Sequence, residues 1–171
     1  ADLPQLCIGV EICEDLWVAD TPSTRLAQGG ATLILNPSAS DETVCKDDYR
    51  RTLLSATSGR LVCGYVYADA GWGESSTDLI YAGHSLIAEN GTILAQRRFE
   101  TGLTVTELDL EKLCHERQRM STFPADAPDL FPQYFRLNVE ETTLTRPVAK
   151  NPFVPADHGD RAARCQEILT L

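Results

Sequence analysis

Apolar and polar positions alternate from Leu6 to Ile12, where Ile8, Val10 and Ile12 are set against Cys7, Gly9 and Glu11. The β-branched residues of the first set predict a strand. Cys13-Glu14-Asp15 breaks the pattern. Thr21-Pro22 then supplies a capping hydroxyl and a first-turn proline, and Gly29-Gly30 a stop, which predicts a short helix between them. Thr32 to Leu35 is a continuous apolar run closed by Asn36-Pro37, predicting a strand buried on both faces.

From Asp47 to Gly59, Tyr49, Leu53, Leu54 and Thr57 fall on one helical stripe, with Gly59 as the expected C-cap. A further strand is predicted over Val62 to Tyr67, followed by a long loop from Asp69 to Asp78. Ser85 to Ala88 and Thr92 to Ala95 flank Glu89-Asn90-Gly91, and Asn-Gly between apolar runs predicts a hairpin. Leu103 to Leu108 alternates as a strand would, and Leu110 to Arg119 is predicted helical.

After Met120 the pattern weakens. Phe123-Pro124, Ala127-Pro128, Phe131-Pro132, Arg146-Pro147, Asn151-Pro152 and Val154-Pro155 punctuate an expected extended arm. A last helix is expected from Asp160 to Leu171. The order of elements predicts an α/β layer with a mixed sheet. Ala1 leads within a few residues into a core strand and the last helix stops mid-pattern, so both ends are expected to be cut edges.

Composition narrows the function classes. Of 171 residues, 43% are hydrophobic and 23% charged, which is an ordinary globular balance. The net charge of −10 argues against a nucleic-acid partner, whose phosphates it would repel. No apolar run approaches the roughly 18–20 residues of a membrane span. Ala1 to Gln5 shows no signal peptide, so a cytoplasmic location is expected. The six cysteines form no CxxC pair and no Cys/His cluster with zinc spacing, so we expect free thiols and no metal.

Gly9-Val10-Glu11-Ile12-Cys13-Glu14-Asp15-Leu16-Trp17 is the most informative segment. A cysteine at a strand end, entering a turn, sets its sulfur at the sheet edge beside backbone N–H groups that can hold an oxyanion. The competing reading is a buried structural thiol. Two acids directly after Cys13 weigh against burial, since each would need a partner. They also raise a thiol's pKa, so a reactive Cys13 requires a cation from elsewhere.

These residues resemble the nucleophile segment of the nitrilase superfamily, and Cys-Glu-Asp-Leu-Trp resembles the glutaminase domain of glutamine-dependent NAD synthetases. Leu35-Asn36-Pro37-Ser38-Ala39-Ser40, Tyr49-Arg50-Arg51, the loop from Tyr67 to Asp78 and the hairpin from Gly83 to Gly91 follow in that family's order. Asn151-Pro152-Phe153-Val154-Pro155 is similar to its connector to an ATP-dependent synthetase domain.

The resemblance implies a nitrilase-like αββα sandwich, present only in part. Residues 1–120 would be a partial glutaminase domain and residues 121–171 the arm toward the synthetase domain. It implies a Glu-Lys-Cys triad with Cys13 as nucleophile and the backbone N–H of Glu14 on the oxyanion. Glutamate and lysine precede the cysteine by tens of residues in the family, so the triad is incomplete here and the chain alone is expected to be inactive. Ser40 and Lys46 would grip the amino-acid end of glutamine; a turn-capping serine and a solvated lysine are the alternatives. Trp17 would wall the pocket or sit in the core, and Glu74 would line the site or lie on the surface. Cys45 stands where the family pattern favours a small residue such as glycine. A hydrogen-bonded structural histidine is expected at 84.

No cofactor is expected in this chain, with ATP and Mg²⁺ confined to the synthetase domain. The expected partners are glutamine, that synthetase domain and a second copy covering apolar strand faces. A non-catalytic docking module and a free-standing amidase remain open at this point.

Overall fold

The computed structural model describes residues 3–124, 130–138 and 142–170. One five-stranded sheet organises them: β1 (Ile8–Val10), β2 (Leu33–Ser38), β3 (Gly64–Asp69), β4 (Ser85–Glu89) and β5 (Thr92–Arg97), side by side in chain order. β1, β2 and β3 run parallel, and β3, β4 and β5 antiparallel. The parallel strands are linked by helices α1 (Pro22–Gln28) and α2 (Lys46–Leu61), as a parallel crossover requires. Asn90 and Gly91 both have positive φ, 45° and 86°, which is the backbone of the two-residue turn that Asn-Gly predicts.

Register fixes the two faces. Ile34, Tyr65 and Ala88 stand opposite one another across β2, β3 and β4, and pack with Leu54 and Leu61 of α2 and Ala27 of α1 into the core. The other face carries Ile8, Val10, Leu33, Leu35, Val66 and Ile87. At β1 the contrast is clear: Glu11, just past its end, points into the helix layer and is buried, whereas Ile8 is 37% exposed and Val10 54%. β2 is fully buried on the helix side alone, not on both faces as its apolar run predicts. Among the described residues there is one helix layer on one sheet, which is part of an αββα sandwich.

Three features differ from the sequence reading. α2 runs past Gly59 and ends at Val62, whose left-handed backbone (φ 47°) forms the C-cap. A β-branched residue there is costly, and the cost is offset from α3 (Leu110–Arg119). Arg117 donates to the carbonyls of Val62 at 2.9 Å, Leu61 at 3.0 Å and Ala31 at 2.7 Å. Tyr49, expected on the buried stripe of α2, is 59% exposed, and Arg50 is buried instead.

Leu103 to Leu108 forms no strand. Its Leu108 fills the space that a Cβ at Gly64 would take, while Leu103 and Val105 stay 84% and 79% exposed, with no strand beside them among the described residues. Side chains hold this segment instead. The Glu107 carboxylate accepts from the N–H groups of Thr145 and Arg146 at 2.7 and 3.0 Å, and Glu89 accepts from Asp109 N–H at 2.6 Å. α4 (His158–Thr170) buries no residue.

Candidate active site

β1, β2 and β3 end at the same edge, and β4 begins there. That edge is where open α/β sheets place ligands. Cys13, Ser38 to Ser40, Asp69 and His84 lie along it. At the end of β1, Glu11 N–H still donates to Leu35 O at 3.0 Å, but Cys13 turns left-handed (φ 50°) and opens a 3-10 turn, Cys13–Leu16. Holding a non-glycine residue so costs about 1–3 kcal/mol. Leu16 anchors the turn in the core. The carboxylate of Asp15 accepts Ile12 N–H at 2.7 Å, so one of the two acids caps its own turn while Glu14 faces solvent. Cys13 is half-buried. Its N–H donates to Oδ1 of Asn36 at 3.0 Å, and Glu14 N–H has no partner among the described residues.

Asn36 belongs to a buried chain of hydrogen bonds. Its Oδ1 also accepts from Ser38 Oγ at 2.7 Å, and its Nδ2 donates to the Tyr65 hydroxyl at 3.1 Å. Tyr65 donates in turn to the Glu11 carboxylate, whose other oxygen accepts Ser23 N–H at 2.7 Å. Burial, and then the hydrogen bond to Glu11, raise the Tyr65 pKa far above its usual range, so the phenol keeps its proton.

A second polar group lies beyond Ser40, which is buried. Ser40 N–H donates to Asp69 at 2.8 Å and its Oγ accepts from Arg50 at 3.4 Å. Fully buried Arg50 also meets Glu42 and His84, each at 3.0 Å, and stacks over Tyr67 with 5.8 Å to the ring centre. Burial raises the Asp69 pKa above the usual carboxylate value. Oδ2 of Asp69 and the Tyr67 hydroxyl are buried without a partner among the described residues. His84 is the hydrogen-bonded structural histidine expected from the sequence.

Lys46 pairs with Asp41 at 2.7 Å and lies 5.4 Å from the ring centre of Trp17, which packs in turn on Tyr49 at 5.7 Å. Trp17 is half-buried against the core, so its ring serves both core and edge. Ser40 is engaged as an acceptor, and Glu74 folds back on its own loop, accepting Gly71 N–H at 2.5 Å with its side chain exposed. Cys45 caps α2 in the left-handed region (φ 65°), a backbone that explains why glycine suits this position.

No Lys or Arg side chain is hydrogen-bonded to Cys13 among the described residues. Nor is any group of three or more His, Cys, Asp or Glu placed there to hold a metal. Sequence reading missed Glu11, Tyr65 and Asp69 as polar members of the edge. The available signal was an acid at an inward strand position together with the alternating Tyr65-Val66-Tyr67.

Residues 1–117 match the family model described as carbon–nitrogen hydrolase. The glutamine-dependent NAD(+) synthetase of Mycobacterium leprae is 41% identical over 183 residues, covering 100% of this chain and 27% of that protein. The chain thus spans little more than a quarter of such relatives. The structure of glutamine-dependent NAD+ synthetase from Acinetobacter baumannii in complex with ADP is similar with a TM-score of 0.54 and 29% identity, over 60% of this chain and 19% of that one. A carbon–nitrogen hydrolase from Helicobacter pylori shares the fold, with a TM-score of 0.56 at 19% identity, over 66% and 43% of the two chains.

Proposed function

From the premise that the chain belongs to the carbon–nitrogen hydrolase family, we propose that it is the nucleophile-bearing part of a glutaminase supplying ammonia to ATP-dependent NAD synthesis. The observation that carries this reading is the strained Cys13, turned out of a parallel strand at the sheet edge beside a Glu14 N–H with no partner among the described residues. Cys13 Sγ attacks the glutamine side-chain amide carbon, and Glu14 N–H donates to the developing oxyanion. Collapse breaks the C–N bond, and ammonia leaves with a proton taken from the thiol through the general base. A γ-glutamyl thioester remains. Water, deprotonated by the same base, cleaves it to glutamate and restores the thiol.

The base and the thiolate-stabilising lysine come from residues outside 1–171, so the isolated chain does not turn over. Ser40 and Lys46 contact the amino-acid end of glutamine, Trp17 walls the pocket, and Glu74 lines the site. Residues 1–120 form this partial domain, and residues 121–171 form the arm toward the synthetase domain, where ATP and Mg²⁺ bind. The assembly works in the cytoplasm as a homo-oligomer.

The test is NAD formation by the full-length protein with glutamine or with ammonia as nitrogen donor. Cys13→Ala is expected to abolish the first and keep the second. Retention of glutamine-driven synthesis in Cys13→Ala would refute the assignment.

A further inference from the structure

The chain of buried hydrogen bonds behind the nucleophile has a direction, and its direction has a use. Glu11, Tyr65 and Asn36 are all essentially inaccessible to solvent. A buried carboxylate gives no net stability over a well-packed apolar group of the same volume, so its presence calls for another account. Every lone pair engaged here faces a donor. Glu11 accepts from Ser23 N–H and Tyr65 O–H, Tyr65 accepts from Asn36 Nδ2, and Asn36 Oδ1 accepts from Ser38 Oγ and Cys13 N–H. Because Tyr65 spends its one proton on Glu11, it can only accept from Asn36. That fixes the amide with its oxygen toward Cys13; the flipped amide would set NH₂ against the Cys13 N–H, donor against donor.

We propose that Glu11, Tyr65 and Asn36 act as a positioning relay that holds Cys13 in its left-handed turn. By occupying Cys13 N–H, the relay also leaves Glu14 N–H as the free oxyanion donor. The proposal rests on the reading of Cys13 as nucleophile. Tyr65 and Asn36 touch no reacting atom; they act through the backbone that aims the thiol, and misplacement of a reacting group by about 1 Å can cost 10²-fold in rate.

The experiment compares Tyr65→Phe, Asn36→Ala, the double variant and Cys13→Ala in the full-length protein, with ammonia-driven synthesis as the control for folding. Tyr65→Phe keeps the ring and removes only the hydroxyl. Its glutamine-driven kcat is expected to fall roughly 10–100-fold. KM should stay within about threefold, since the loss is in the transition state and not in binding. Adding Tyr65→Phe to Asn36→Ala is expected to cost nothing further, because a relay broken at Asn36 no longer transmits Tyr65. A Tyr65→Phe protein with kcat within about twofold of the parent overturns the proposal, as do additive losses in the double variant. A parallel fall of the ammonia-driven rate overturns it too, by showing a folding role. Glutamine-driven turnover in Cys13→Ala would instead bring down the nucleophile reading beneath it.

Discussion

Arg50 places Nη1 3.0 Å from Nδ1 of His84, and since a guanidinium only donates, that imidazole nitrogen is the unprotonated acceptor. Burial first, and the Arg50 charge second, push the His84 pKa down to about 4 from its ordinary 6.5. The unfolded chain therefore binds a proton in a pH range where the folded one does not. Stability from this group is complete above pH 6.5 and declines as pH falls toward 4, by at most about 1.4 kcal/mol per pH unit. Urea midpoints between pH 7.5 and 4.5 should show that decline, and His84→Gln should flatten it.

Arg50 itself is the larger liability. It is fully buried between Glu42, Ser40, His84 and the Tyr67 ring. Arg50→Ala strands the Glu42 carboxylate opposite it, leaving Arg98 at 3.1 Å as a partial partner. Breaking a buried pair costs about 3–5 kcal/mol, a large part of a domain's stability of about 5–15 kcal/mol. Chemical denaturation should register a loss of that size. A change under about 1 kcal/mol would show that the cluster contributes little.

Thiol chemistry separates the cysteines. Cys63 is buried in the core, and burial pushes its thiol up to about 12, so it should resist electrophiles in the native state. In the full-length protein, a glutamine-mimicking electrophile is expected to label Cys13 before the other five. Peptide mass mapping reads the site. An adduct on Cys45 with Cys13 free would contradict this expectation.

The outer face of the sheet makes a prediction for residues 1–171 alone. Val10 and Ile8 are exposed beside Leu33, Leu35 and Val66, on the edge strand of the sheet. Apolar faces and open edges of this kind drive association. Light scattering should show self-association of the isolated chain, reduced by Val10→Asp. No glutamine hydrolysis should accompany it. A dilute monomer that unfolds cooperatively would show that the face is tolerated in water.

The sequence made the element order readable because periodicity and turn chemistry are local. Asn90-Gly91 specified its hairpin, and the helix expected from Leu110 forms, its start capped by Asp109, which accepts Lys112 N–H at 2.9 Å. Cys13 was legible as a residue at a strand end. The parts that were not legible depend on contacts distant in sequence. Leu103 to Leu108 alternates like a strand, yet among the described residues no neighbouring strand lies beside it. On α2, helical spacing favoured Tyr49 over Arg50 for burial. Only the convergence of Glu42, Ser40 and His84 makes a buried guanidinium tolerable. Glu11 looked like an ordinary polar alternate until β3 brought Tyr65 over it.

Arg117 closes the end of α2 from 55 residues further along, at Val62 O. During synthesis at about 5–20 residues per second, that separation amounts to roughly 3–11 s between the two residues. Helix formation itself takes about a microsecond or less. The last turn of α2, with Val62 in its costly left-handed conformation, therefore waits for its cap on the clock of the ribosome. Until then the β2–β3 crossover is made but unsealed, and that is the interval in which a chaperone or a protease would find it.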